Sequence, residues 1–324
     1  MAPKTNLIYI RIAFLLVLLS GGRLFAEDAQ TANALLQQGR VDEARVSLQT
    51  LLATQPGNAL AHQLLCRVYY AQDMEDAAIQ ECEQAASQDP GNSDTQMWLG
   101  RAYGMKASHA HPLTAFALAR KVHYSFERAV QLDPENIQAM SDLGEFYVEA
   151  PAIVGGGLDK ARALAVRMQP RFSSQSHRLL ALVANENKDS ATAESEFKKA
   201  VLAGRTPAAY IDLGQFYQRQ NQPDKALEAL KAGIDADRRK DSSLVDAASI
   251  LIAMNRSPEV AESLLREYLS SPAKSDDAPA FKVRIQLGNL LAHQGNAASA
   301  HREYAAAAAL ASNYAPARKS LQGS

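Results

Sequence analysis

The 324-residue sequence predicts an all-α fold: a right-handed α-α superhelix of about eight helical hairpins with a capping helix at the C-terminal end. Three observations predict it. Motifs recur at a spacing of 34 residues, as between Pro56 and Pro90. Aromatic residues make up only 6% of the chain while alanine abounds, and small side chains with high helix propensity favour closely packed helices. No β-rich segment competes with that reading.

The N-terminus stands apart from the repeats. Lys4 and Arg11 precede an unbroken apolar run over 12–19, followed by Ser20, Gly21, Gly22 and "RLFA" ending at Ala26. A basic start, a short apolar core and a small residue before a polar sequence form a secretory signal peptide. A membrane span requires about 20 apolar residues, and Arg11 and Arg23 bracket a much shorter run. The expected protein is therefore exported, periplasmic or secreted, after cleavage near Ala26. Loss of residues 1–26 removes Lys4, Arg11 and Arg23 and no acid, taking the net charge from −1 to −4. Such a chain lacks the basic footprint of a nucleic-acid binder.

From residue 27 onward the sequence reads as a single solenoid. Its units run roughly over 25–58, 59–92, 93–136, 137–173, 174–206, 207–240, 241–274 and 281–314. Leu65-Cys66 with Tyr69, Leu99-Gly100 with Tyr103, Leu143-Gly144 with Tyr147, and Leu213-Gly214 with Tyr217 open successive units. Ala193 with Phe197 and Ala300 with Tyr304 mark the second helices, and Asp-Pro-x-Asn at 89–92 and 133–136 separates units. Leu, Gly and Tyr at i, i+1 and i+4 place one face of a first helix against its partner. The proline stops one helix and the asparagine starts the next. A hairpin cannot bury its apolar face alone, so the hairpins stack.

This pattern resembles the tetratricopeptide repeat, Trp-x2-Leu-Gly-x2-Tyr, then Ala-x3-Phe, then Pro. The first tryptophan is missing from every unit, Trp98 is displaced, and Cys66, Ala181 and Ala248 replace the glycine. The resemblance implies a binding scaffold without catalysis or cofactor. "NYAPARKSLQGS" is expected to form the closing helix, and the acidic stretch around 271–280 a loop between the last two units.

Two neighbouring units carry insertions, at about 107–123 and 150–158. The first is expected to lengthen the second helix of its unit from Pro112, with Phe116, Ala119, Val122, Phe126 and Ala129 as a stripe. The second contains Pro151, which disfavours continuing the helix through Ala150, and Gly155, Gly156 and Gly157, which permit positive φ. Asp159 is expected to cap the following helix. The loop is not a P-loop, because Lys160 is separated from Gly157 and Ala161 stands in place of Ser/Thr. It is read as a turn that shapes a surface, with the long helix leaning on it. The long helix and "APxxxGGG" loop together look like those of exported bacterial tetratricopeptide proteins, some of which accompany solute transporters.

Other polar clusters are weak. His109, His111 and His123 lack zinc-motif spacing. Ser174, His177 and Asp212 have no strained nucleophile turn, so no enzyme is expected. Cys66 and Cys82 fall on facing helices of one unit, which admits a disulfide in an exported chain or two packed thiols, the second being preferred. In solenoids of this kind the first helices line the concave side. Gln63, Arg67, Tyr70, Met97, Arg101, Met105, Glu145, Arg178, Gln215 and Arg219 are expected there, with residues four apart sharing a face. Arginine would hold carbonyls or acids of an extended polypeptide, and Met and Tyr would make adaptable apolar contacts. The Lys and Asn arrangement that clamps a C-terminal carboxylate in chaperone-binding relatives is missing. A protein or peptide partner in an envelope assembly is thus expected. The alternatives are a small solute held near the two insertions, and self-association through an uncapped end.

Overall fold

The computed structural model describes residues 29–323, so the expected signal peptide over 1–26 lies outside the described residues. Among them are helices and turns but no strand. Eight hairpins follow in order. α1, seen over 29–37, pairs with α2 (Val41–Thr54), and α3 (Ala59–Ala71) with α4 (Glu75–Gln88). Next come α5 (Ser93–His109) with α6 (Pro112–Leu132), and α7 (Ile137–Glu149) with α8 (Leu158–Met168). α9 (Ser173–Glu186) pairs with α10 (Ser190–Gly204), and α11 (Pro207–Arg219) with α12 (Pro223–Ala236). α13 (Ser243–Ala253) with α14 (Pro258–Ser270) and α15 (Ala280–His293) with α16 (Ala297–Leu310) complete the set, and α17 (Ala315–Gln322) packs on the last pair. No described helix is long and apolar enough to cross a membrane.

The repeat chemistry is visible at the first three joints between hairpins. Asn58, Asn92 and Asn136 accept from the backbone N–H groups of Ala61, Thr95 and Ala139, each at 3.0 Å, so the Asn of Asp-Pro-x-Asn is the N-cap. Within hairpins, Asp73, Lys188 and Asn221 take left-handed φ between the two helices. A large second-helix side chain fills the space left by the small first-helix residue. A Cβ on Gly100 would lie 2.5 Å from the Phe126 ring, and one on Gly214 2.9 Å from Leu230. Between hairpins, the first-helix tyrosine donates to a glutamate of the preceding second helix: Tyr103 to Glu83 at 2.5 Å, Tyr147 to Glu127 at 2.9 Å and Tyr217 to Glu194 at 2.8 Å.

The second hairpin departs from this rule. Cys66 and Cys82 occupy the small and large positions and are joined in a disulfide, with Cα atoms 5.2 Å apart. Of the two arrangements the sequence admits, the structure takes the bond in place of packed thiols.

The insertions replace the short left-handed turn of hairpins three and four. α6 is 21 residues long and starts with Pro112 in its first turn. Its buried face is Leu118, Val122, Ser125, Phe126, Ala129 and Val130. Phe116, expected on that stripe, is 39% exposed and Leu113 is 81% exposed, because the inserted turns have no counterpart in the preceding hairpin. After α7, Ala152–Val154 forms a single 3-10 turn that packs on α6. Gly155 has φ +110°, and a Cβ there would sit 2.5 Å from the His123 ring of α6. A Cβ on Gly156 would strike the Ala150 carbonyl. Gly157, at φ +145°, donates its N–H to the Tyr147 carbonyl at 2.8 Å. The glycines are thus fixed by backbone geometry and contact with α6. Asp159 does not cap α8: Gly157 holds the N-cap position, and the Asp159 carboxylate, two residues further into the first turn, pairs with Arg162 at 2.7 Å.

Eight hairpins bring the end of the stack back to its beginning. Gly39, in the α1–α2 turn at φ +76°, lies so near the start of α15 that a Cβ would be 2.7 Å from the Ala280 nitrogen. The Ser312 N–H donates to Asp42 at 2.7 Å, and the Lys282 ammonium to Asp73 at 2.7 Å. One apolar cluster joins Leu36, Val41 and Leu48 of the first hairpin to Phe281 and Leu287 of the last and to Tyr314 at the start of α17. Exposed ion pairs contribute only about 0.2–1 kcal/mol each, so the apolar contact carries most of the seam. The first and last hairpins therefore meet along a seam, and the curve of the stack closes on itself there.

Candidate functional site

The groove wall consists of the first helices, and its charged residues begin with arginines and end with aspartates, with carboxylates of α7 and an arginine of α9 between them. Arg67 stands on α3, Arg101 on α5, Asp142 and Glu145 on α7, Arg178 on α9, Asp212 on α11 and Asp246 on α13. Neighbouring helices neutralise one another. Arg101 donates from Nε to Asp142 at 2.6 Å, and Arg178 to Glu145 at 2.6 Å and Asp212 at 3.0 Å. Removal from water raises the carboxyls of Asp142 and Asp212 above the usual range, with the arginines pulling the other way. The Arg101 and Arg178 guanidiniums sit above their ordinary value because these carboxylates outweigh their own burial. Asp246, without an ion-pair partner in the groove, is pushed up to about 6, first by the enclosing wall and then by Asp212, Asp241 and Asp277.

A cavity of about 510 Å³ lined by charged and aromatic side chains lies between α5, α6 and α7. Trp98 forms its back. The guanidiniums of Arg67 and Arg101 lie 5.2 and 4.6 Å from its ring centroid, and Tyr70 meets it edge-on at 5.4 Å. Met105, Phe146 and Glu149 line the side, and Asp276 and Asp277 close the top. Cation–π contact orients both arginines, so the tryptophan that departs from the repeat consensus positions the groove's cations.

The expected groove residues divide. Arg67, Tyr70, Arg101, Met105, Glu145 and Arg178 come together on this wall, and Gln215 lines a second hollow with Asp212 and Asp246. Arg219 is exposed further along α11. Gln63 and Met97 do not face the groove; they are 6% and 1% exposed. From Thr95 to Gly100 every α5 residue is buried, since the early turns of a first helix are enclosed by its partner and both neighbours. Spacing alone missed Trp98, Asp142, Asp276 and Asp277.

The other candidates are accounted for by local ties. Ser174 donates to the Ala200 carbonyl at 2.9 Å, His177 bonds Glu196 at 2.7 Å across its own hairpin, and Asp212 faces Arg178. These three side chains do not converge on one another. His62 with Glu81 at 2.6 Å repeats the His177 arrangement. His109 bonds Glu75 at 2.5 Å, whereas His123 stacks on Phe146 at 5.6 Å, and no group of three metal-ligating side chains occurs among the described residues. In the glycine loop, Lys160 donates to the Gly155 carbonyl at 2.8 Å.

Comparison with known proteins agrees with the architecture. Tetratricopeptide-repeat models match residues 35–83 and 207–240. Among solved structures, yeast Tom70 superposes with a TM-score of 0.53 at 15% identity, over 87% of this chain and 59% of its own. The type IV pilus biogenesis factor PilW gives 0.50 at 16% identity, over 70% and 98%. A thermophilic tetratricopeptide-repeat protein of Thermus thermophilus gives 0.47 at 16%, over 70% and 99%. No curated protein matches by sequence.

Proposed function

Because the chain is a tetratricopeptide-repeat protein, we propose that it is a non-catalytic, exported scaffold whose concave groove holds an extended segment of a partner protein in an envelope assembly. One observation carries the reading: arginines on successive first helices are oriented over a shared tryptophan beside a cavity of about 510 Å³. Planar, oriented guanidiniums suit recognition of carbonyls and carboxylates. The export signal expected over 1–26 supports the location, and so does the Cys66–Cys82 bond, because disulfides persist in oxidising compartments.

Co-purification with the tagged mature chain tests it. A stoichiometric partner is expected, lost on Arg67→Glu with Arg101→Glu while circular dichroism stays unchanged. An unaltered pull-down removes the groove from the account. Terminal sequencing of the secreted or periplasmic protein is expected to begin at residue 27.

The same cavity favours a second reading, a small solute bound against Val122 and Phe126 of the long helix and Phe146 of α7. A metabolite screen by thermal shift separates the two, since a specific ligand raises the melting temperature by mass action.

A further inference from the structure

The segment after α14 is not a solvent loop at the rim. It turns toward the groove, and its tip covers the end formed by Arg67 and Arg101. Its base is tied down from inside the protein: the fully buried Tyr268 donates to the Ala278 carbonyl at 2.7 Å and accepts the Ser275 N–H at 3.0 Å. Ser271 donates to the Arg239 carbonyl at 3.1 Å. The tip carries two adjacent carboxylates. Asp276 accepts from Arg67 Nε at 2.8 Å, where the two side chains are 10% and 17% exposed, and Asp277 lies 3.8 Å from an Arg101 nitrogen.

We propose that residues 271–279 are an internal occupant of the partner groove, and that the partner segment is an extended acidic peptide presenting two neighbouring carboxylates to Arg67 and Arg101 in their place. This rests on the groove reading above and names the chemistry that fills it. The charges show why the acidic end docks at this spot. Arg101 keeps Asp142 when the loop leaves, but Arg67 has Asp276 as its ion-pair partner. Withdrawal of the loop therefore uncovers one desolvated guanidinium beside Trp98, a site that a carboxylate of a second molecule satisfies. Further round, beyond Arg178 and its two carboxylate partners, Asp212 and Asp246 make the wall acidic, which confines acidic residues of the occupant to the Arg67 end. A tethered segment competes at an effective concentration in the millimolar range, so the loop sets a threshold that an incoming peptide must exceed.

The test uses a fluorescein-labelled peptide of sequence SPAKSDDAPA, matching residues 271–280, added to the mature protein and read by anisotropy. The Asp276→Asn, Asp277→Asn double variant is expected to bind it at least about tenfold more tightly than the unaltered protein, as removal of a tethered competitor requires. Adding Arg67→Gln to that variant abolishes the gain, as does replacing both aspartates of the peptide with serine. Circular dichroism and melting temperature verify that each variant is folded. Equal affinity in the unaltered and double-variant proteins overturns the proposal, as does binding that survives Arg67→Gln. A partner that co-purifies through the groove while this peptide fails to bind the double variant leaves the scaffold function standing and removes only the internal occupant.

Discussion

Arg67 and Asp276 meet at 2.8 Å although 209 residues separate them in the chain. The contact exists because eight hairpins curve far enough to bring the last inter-repeat loop onto the second hairpin. It converts a one-dimensional stack into a structure with an inside.

The loop's anchor gives a prediction. Tyr268→Phe removes the hydroxyl shared by the Ala278 carbonyl and the Ser275 N–H. Leaving enclosed polar groups without a partner costs about 1–3 kcal/mol, so the urea midpoint is expected to fall and the amides of 275–278 to exchange faster. An unchanged midpoint would show that the loop is held by its tip alone.

Glycine packing gives a second. Gly288 lies against the Tyr304 ring with no space for a methyl group, whereas the nearest atom to a Cβ on Gly104 is Val122 Cγ2 at 3.9 Å. Alanine gains up to about 1 kcal/mol over glycine in a helix, and overpacking costs about 1–3 kcal/mol. Gly288→Ala is therefore expected to lower the melting temperature and Gly104→Ala to hold or raise it. Equal responses would contradict the small–large packing rule.

That rule also explains what could be read from the sequence. Hairpin boundaries were legible because Asn58, Asn92 and Asn136 cap helices through a local motif. Small–large pairing was legible as the spacing from Gly214 to Leu230 and from Gly288 to Tyr304, which Cys66 and Cys82 share. That shared spacing is the signal that the two sulfurs face each other. Gln63 and Met97 misled because a period-four stripe says which face they share with Arg67 and Arg101, not how far along a helix the neighbours close over it. Asp276 was invisible as a groove residue: its position depends on the curvature accumulated over the whole stack, and no local pattern encodes that.

The disulfide yields a third prediction. Cys66→Ala with Cys82→Ala loses the cross-link, about 3 kcal/mol for a loop of this length, and also leaves the large position unfilled. Cys66→Gly with Cys82→Phe restores the pairing seen at Gly100 and Phe126. Its melting temperature is expected to exceed that of the alanine pair under oxidising conditions; a lower value would show that the second hairpin cannot accept the shared rule.

Asp246 yields a fourth, in pH. Its carboxyl is raised from 3.8 to about 6 in the folded protein, so the folded state holds a proton that the unfolded state has released. Stability is therefore lost as pH rises from about 4 through 6. Asp246→Asn removes that loss: the variant is expected to be more stable than the parent at pH 7–8 and no more stable near pH 4. Parallel pH profiles would rule out the raised carboxyl.

Closure of the stack is the claim on which the groove and its occupant both depend, and zero-length carbodiimide cross-linking tests it most directly. Lys282 and Asp73 stand 2.7 Å apart across the seam, and Lys198 and Glu194, one turn apart on α10, provide an internal control at 2.8 Å. Peptide mapping of the monomer is expected to recover both links. Recovery of the Lys198–Glu194 link without Lys282–Asp73 would mean that the ends of the stack stay apart.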